Sequence, residues 1–200
     1  MKRFTDLDDV FERVWDRVEA GAKASGHPFR TPTFATASAN EPAARTVVLR
    51  QAEREARRLA FHTDRRSAKV HDIRAHSRVA WHWWIPETHE QVRLQGTATV
   101  HEDDDVADAM WADQSPSSLV VHVREEASGT PVDAPRDGLQ QSARTSPVTR
   151  DDVAAGREHF AVVRTVIDSV DWLHLHPEGH YRAQFRCPPG EAVEGQWVIP

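Results

Sequence analysis

The stretch Arg58-Leu59-Ala60-Phe61-His62-Thr63-Asp64-Arg65-Arg66-Ser67-Ala68-Lys69 carries the strongest local signal in the chain. Its first half reads as a β-strand, and at Ser67 the pattern turns into a helix running to about Ala75, with Ser67 as its cap. This hand-over places the hydroxyls of Thr63 and Ser67, free backbone N–H groups and Lys69 at one helix N-terminus. Such an end combines partial positive charge with unpaired donors, which together suit a phosphate. Arg45 and Arg50, on a neighbouring predicted strand, add guanidinium forks that match phosphate oxygens in pairs. The alternative is that Arg65, Arg66 and Lys69 form an ordinary solvated helix start.

Outward from this point, the N-terminal side reads as a helix followed by a hairpin. Leu7, Val10, Phe11, Val14, Trp15 and Val18 recur at helical spacing, with Thr5 or Asp6 as N-cap and Gly21 near the end, so residues 1–24 hold one amphipathic helix. Thr33 to Ala37 alternates like a strand, Ala39-Asn40-Glu41-Pro42 carries turn chemistry, and Arg45-Thr46-Val47-Val48-Leu49-Arg50 is rich in β-branched residues. On the C-terminal side, strands are predicted over Arg78–Ile85, Gln91–Val100, Phe160–Leu175, His180–Phe185 and Gln196–Ile199, with a helix over Asp104–Ala112. Residues 124–150 shift to Glu, Ser, Gly, Pro, Asp and Gln and read as a long loop, mobile or ordered by a partner or ligand.

Many strands with short connections and a few outlying helices predict a mostly β (α+β) fold, an antiparallel β-barrel flanked by helices. Alternating βαβ units, GxGxxG, a Walker A loop and GxSxG are all absent from the sequence, which excludes the commonest nucleotide and hydrolase signatures. With 200 residues the chain is expected to form one domain over 1–200. A formal charge of -6 argues against a general nucleic-acid surface, so any anion site must be local. Cys187 is the single cysteine, so no internal disulfide forms and a reducing compartment, the cytoplasm, is expected. The opening MKRFTDLDDVFERVW has acids among its apolar residues, unlike a signal peptide, and no segment reaches transmembrane length, so no membrane partner is expected.

The segments Arg45 to Arg50, Phe61-His62-Thr63 with Ser67-Ala68-Lys69, and Gln91-Val92-Arg93-Leu94-Gln95-Gly96, in that order and spacing, resemble the FMN-binding core of the pyridoxamine 5'-phosphate oxidase-like family. Trp172 and Arg182 sit much as that family's late tryptophan and arginine do, and the opening helix with His27-Pro28-Phe29-Arg30-Thr31-Pro32 resembles a bacterial and cyanobacterial subgroup of FMN-binding proteins. The resemblance implies an antiparallel split β-barrel that forms a homodimer with FMN at the interface, acting as a flavin-dependent oxidoreductase on a small molecule. It implies that Arg45 and Lys69 contact the FMN phosphate, with Thr63 and Ser67 nearby and His62 beside them. Thr46, Val47, Val48, Leu49 and Arg50 would run past the ring, and Gln91 would bond the ring or ribityl chain. Gln141 and Ser142 would touch the phosphate side, and Trp172 and Arg182 would reach the flavin from the second subunit.

Two departures bear on the chemistry. Ala68 stands where the family carries a second phosphate-binding cation, unless Arg65 or Arg66 substitutes for it. Arg50 and His180 fall at substrate-side positions, yet Glu178 occupies the place of an arginine that holds the vitamer, and a carboxylate there repels a substrate phosphate. Pyridoxamine or pyridoxine 5'-phosphate oxidation and a non-catalytic FMN-binding or storage role therefore stand as alternatives, and no catalytic residue is assigned.

Other constellations carry less. His174, His176 and His180 form H-x-H-x3-H, a pattern that can ligate a metal, but interface histidines are the favoured reading and no metal is expected. Trp81, Trp83 and Trp84 are read as core or dimer packing, and Asp103-Asp104-Asp105 as a helix start. Cys187 has no evident activating base.

Overall fold

The computed structural model describes residues 4–38, 41–144 and 146–200. The turn residues Ala39 and Asn40 lie outside the described residues. Helix α1 spans Leu7–Lys23 and starts where the Asp6 carboxylate accepts from the N–H groups of Asp8 and Asp9, at 2.8 and 3.2 Å. Its buried face is Val10, Val14, Trp15 and Val18. Gly21 lies within the helix, and its lack of a side chain leaves room for Phe29: a Cβ there would lie 2.6 Å from the Cβ of Phe29.

Among the described residues nine strands form one antiparallel sheet: β1 Thr33–Ala37, β2 Pro42–Thr46, β3 Gln51–Glu53, β4 Arg58–Asp64, β5 Arg78–Ile85, β6 Glu90–His101, β7 Phe160–His174, β8 Tyr181–Arg186 and β9 Glu194–Val198. The order is β2-β1-β5-β6-β7-β4-β3, with β8 on β7 and β9 on β8. On one edge β7 pairs with β6. On its other edge it pairs first with β4, from Phe160 opposite Asp64 to Val166 opposite Arg58, and then with β8, from Ser169 opposite Arg186 to His174 opposite Tyr181. The change of partner coincides with a bulge: Gln95 faces Ser169 and Gly96 faces Ile167, which leaves Asp168 unmatched. Gly96 is required there, since a Cβ would lie 2.1 Å from the Val166 carbonyl oxygen.

The pleat divides the apolar residues between two clusters. One lies under α1 and includes Phe34, Leu49, Phe61, Trp81 and Trp172. The other gathers Ala60, Phe160 and Val162 with Ala107 and Met110 of α3, Asp105–Asp113, and Leu119 of α4, Pro116–Leu119. Trp81 and Trp83 pack inside the core, whereas Trp84 is exposed and stacks on His89. No described helix is long and apolar enough to cross a membrane.

Two expectations need correction. Residues 45–50 are not one strand. The chain leaves β2 at Thr46, and its N–H groups at Val47, Leu49 and Arg50 donate to the carbonyls of Pro32, Arg30 and Ala60 before β3 begins. Ser67 occupies the N-cap of α2, Ala68–Ala75, but its side chain makes no capping bond because it turns toward Thr63. The segment 124–150 is mostly loop: Arg124 and Leu139 form a bridge, Arg136 pairs with Glu126 at 2.7 Å, and helix α5, Arg150–Val153, follows a capping box of Thr149 and Asp152.

Glu90, at the start of β6, fastens α1 to the sheet. It is 2% exposed and accepts from Arg13 through two bonds of 2.9 Å, from Arg17, and from the Trp172 indole at 3.0 Å. Although burial opposes ionisation, these donors hold its pKa at about 2, below the ordinary 4.5. A depressed carboxylate stabilises the fold above the unfolded value and loses that contribution as pH falls toward the folded one. Glu90→Gln is expected to lower the unfolding free energy by about 3 kcal/mol near neutral pH, because it leaves two arginines at a buried site without their counter-charge. Urea denaturation checks this, and the gap between wild type and variant should shrink as pH falls from 4.5 toward 2.

Candidate functional site

The segment 46–50, strand β4, the start of α2 and the turn after α4 surround a cavity of about 400 Å³. Its lining includes Thr46, Val47, Val48 and Arg50, then Phe61, His62, Thr63 and Lys69, then Ser117, Ser118, Val121, His122 and Arg124. Val48 and Val121 are 38% and 47% exposed, so the lining includes bare apolar surface.

The cationic part is built at the β4–α2 junction. Lys69 Nζ donates to Thr63 Oγ1 at 3.0 Å, and that oxygen lies 3.5 Å from Ser67 Oγ. Burial lowers the pKa of Lys69, and the nearby charge of Arg45 lowers it further, against Asp64 and Asp72. Arg45 reaches this corner from β2, donating to Thr36 Oγ1 at 2.7 Å and standing 3.5 Å from Asp72. Two cations pressed together at a helix N-terminus suit an arriving dianion. Arg65 and Arg66 do not supply the cation missing at Ala68: Arg65 pairs with Glu102 and Asp103, and Arg66 pairs with Asp64 at 2.8 Å.

Arg50 and Arg124 have no carboxylate partner among the described residues, and the Nε of each is buried without a hydrogen bond. Burial lowers the pKa of Arg50, and the charge of Arg30 adds to the effect. Beside them, His122 Nε2 lies 3.1 Å from His62 Nδ1. Burial first, then the charge of Arg50, holds His62 at about 3; burial likewise holds His122 at about 4 against the pull of Asp64.

The sheet thus brings together Thr46, Val47, Val48, Arg50, His62, Thr63 and Lys69 around one cavity, with Arg45 and Ser67 beside it. Leu49 lies in the core under α1. Gln91 faces His82 at 3.3 Å on the β5–β6 ladder, away from this lining. Gln141 opens a single helical turn, and the Ser142 side chain lies outside the described residues.

The pleat separates the two late residues. Arg182 stands opposite Leu173 and bonds Asp171 at 2.8 Å, whereas Trp172 turns to the other face, 1% exposed against Glu90. Arg182, Asp171, Arg93 and Gln184 line a second, polar cavity of about 560 Å³. His180 and Glu178 are exposed in the β7–β8 turn, while His174 and His176 are buried with ring centroids 5.5 Å apart. Among the described residues no group of three or more His, Cys, Asp or Glu is placed to hold a metal. Ser117, Ser118, Val121, His122 and Arg124 are lining residues that the sequence did not reveal.

Residues 12–102 match the family model described as pyridoxamine 5'-phosphate oxidase, FMN-binding domain. A pyridoxine/pyridoxamine 5'-phosphate oxidase of Anaeromyxobacter dehalogenans (strain 2CP-C) is 36% identical over 115 residues, 56% of this chain and 56% of that protein, so the similarity spans little more than half of either. A pyridoxamine 5'-phosphate oxidase-related, FMN-binding protein from Nostoc punctiforme PCC 73102 superposes with a TM-score of 0.74 at 21% identity, covering 100% of both chains. PhzG from Burkholderia lata 383, solved with tetrahydrophenazine-1-carboxylic acid, gives 0.69 at 14%, covering 100% of this chain and 98% of that one. At these identities the two structures establish a common fold.

The paired histidines His62 and His122 carry a cost in acid. An unfolded chain binds protons at these rings near pH 6.5, whereas the folded chain resists them down to about 4 and about 3. The unfolded state therefore holds more protons across that window, and stability falls as pH falls through it. Replacing both with glutamine is expected to flatten this part of the profile, measured as urea midpoints between pH 7 and pH 4 relative to wild type.

Proposed function

We propose that this chain, which belongs to the pyridoxamine 5'-phosphate oxidase-like FMN-binding family, is a flavin-dependent oxidoreductase that works on a small molecule in the cavity beside Lys69 and His62. The observation that carries the proposal is the cavity itself. Bare valine surface and a lysine–arginine corner at a helix N-terminus occur together, and both fall largely within the residues that match the FMN-binding domain. These residues fit FMN: Lys69, Thr63, Ser67 and Arg45 suit its phosphate, and Val47, Val48 and Val121 offer apolar surface to a flat ring.

FMN supplies the acceptance and return of an electron pair. The chain's residues bind, orient and set charge. Lys69 and Arg45 balance the phosphate. The backbone of residues 46–50 borders the ring and offers it polar groups. Arg50 and Arg124, without a carboxylate partner among the described residues, attract an anionic group on the substrate.

A homodimer of split barrels completes the site in this reading, with Arg182 of a second copy meeting the cofactor from its polar cavity. Trp172 acts at one remove, by bonding Glu90 beneath that strand. Residues 1–200 then form one domain, in the cytoplasm.

Titrating purified protein with FMN and following the visible flavin bands tests the proposal; saturable perturbation is expected, and colourless protein that ignores FMN would overturn it. Lys69→Met and Arg45→Ala are each expected to weaken FMN binding at least about tenfold, about 1.4 kcal/mol or more. Anaerobic mixing of the loaded protein with pyridoxine 5'-phosphate, pyridoxamine 5'-phosphate and NADPH then reads the reaction. Bleaching by either vitamer supports authentic vitamer oxidation, bleaching by NADPH alone supports a reductase, and bleaching by none supports a binding or storage role.

A further inference from the structure

The flavin reading leaves His122 without a role and gives His62 only a lining one. The two rings face each other, His122 Nε2 and His62 Nδ1 3.1 Å apart, and Phe160 packs against both with centroids at 5.3 and 5.0 Å. A hydrogen bond between neutral imidazoles needs one donor and one acceptor. If His122 donates, its Nδ1 is bare and His62 carries its proton on Nε2; if His62 donates, the arrangement reverses. Both outer atoms, His62 Nε2 and His122 Nδ1, are buried without a hydrogen-bond partner. The pair therefore ends in one donor and one acceptor, and the two arrangements interconvert when a proton leaves one outer nitrogen, the shared proton crosses, and a proton binds at the other outer nitrogen.

The charged groups around the pair explain its neutrality. Arg50 and Arg30 act on His62 as cations, while Gln114 sits close enough to favour the charged ring without bonding Nε2. On His122, Asp64 pulls toward the charged form, and Arg124, Arg50 and His159 push against it. Asp64 is itself tied to Arg66. Burial and this surplus of positive charge keep both rings uncharged. Negative charge arriving in the cavity offsets the surplus and raises the affinity of the pair for a proton.

We infer that His62 and His122 form a redox-linked proton acceptor, binding one proton when the cofactor in their cavity gains an electron pair. The inference rests on the flavin reading proposed above. The balance is two electrons and one proton taken by the flavin, and one further proton taken by the imidazole pair, so the net charge of the site is unchanged. When a small-molecule alcohol or amine is the reductant, its C–H bond supplies the hydride and its O–H or N–H bond supplies the proton that the pair accepts.

The test reads the midpoint potential of bound FMN, and not turnover, between roughly pH 5.5 and pH 8. Wild type is expected to take up two protons per electron pair across this range, and His122→Asn and His62→Gln one each. A wild-type slope of one proton, or variants that keep the wild-type slope, would overturn the pair and leave the flavin reading standing. Protein that binds no FMN overturns both. Imidazole ¹⁵N spectra of wild type decide the matter even where a variant fails to fold: two neutral rings in the oxidised state and one charged ring after reduction are expected, and two neutral rings in both states would overturn the inference.

Discussion

The structure depends on one strand that is hydrogen-bonded along both edges. Strand β7 holds β6 on one side and, on the other, first β4 and then β8. A strand serving two successive partners must change direction between them, and the unmatched Asp168 opposite Gly96 provides the bend. Everything that bears on the site follows from this arrangement. Strand β4 is held at the N-terminal half of β7, so Phe61 faces the core under α1 while His62 faces Phe160 and the helices beyond it. The same register sends Asp171 and Arg182 to one face and Trp172 to the other.

Charge is distributed unevenly over this frame. Most arginines of the chain are matched by carboxylates, as Arg54 is by Glu12, Asp16 and Glu19, and Arg78 by Asp168. At the cavity the matching is incomplete: Arg50 and Arg124 have no acid among the described residues, and Lys69 shares its corner with Arg45. Unmatched cations in a cavity of an otherwise acidic chain make the local potential there more positive. The neutral histidines fit the same economy, since further positive charge in that place is costly until something negative arrives.

Much of this was legible in the sequence, for physical reasons that differ by residue. The strand-to-helix transition at Thr63–Lys69 was readable because its periodicity changes within one turn and its donors are local. The helices 7–23, 68–75 and 105–113 were readable from spacing and caps. The break at Val47 was not, because a β-branched run looks alike whether its N–H groups meet a neighbouring strand or the carbonyls of Pro32, Arg30 and Ala60. His122 and Arg124 left no trace, since they come to the cavity through a turn whose position is set by Phe160 and α3 and by no local pattern. The separation of Trp172 from Arg182 depends on a single step of pleat register, which two isolated residues in a sequence do not disclose.

The dual pairing of β7 also governs how the chain can come into being. As synthesis proceeds from the N-terminus, β4 and the long β6 emerge before β7 exists, each with an edge of unpaired N–H and C=O groups. Arg58 waits for Val166 and Glu90 for His174, so the contacts that define the sheet are distant in sequence and form late. The residues matching the FMN-binding domain end at 102 and contain neither β7 nor its partner β8. That segment carries the signature of a domain, yet the edges that β4 and β6 present to β7 stay open within it, and open edges in a nascent chain are what a chaperone would have reason to shield.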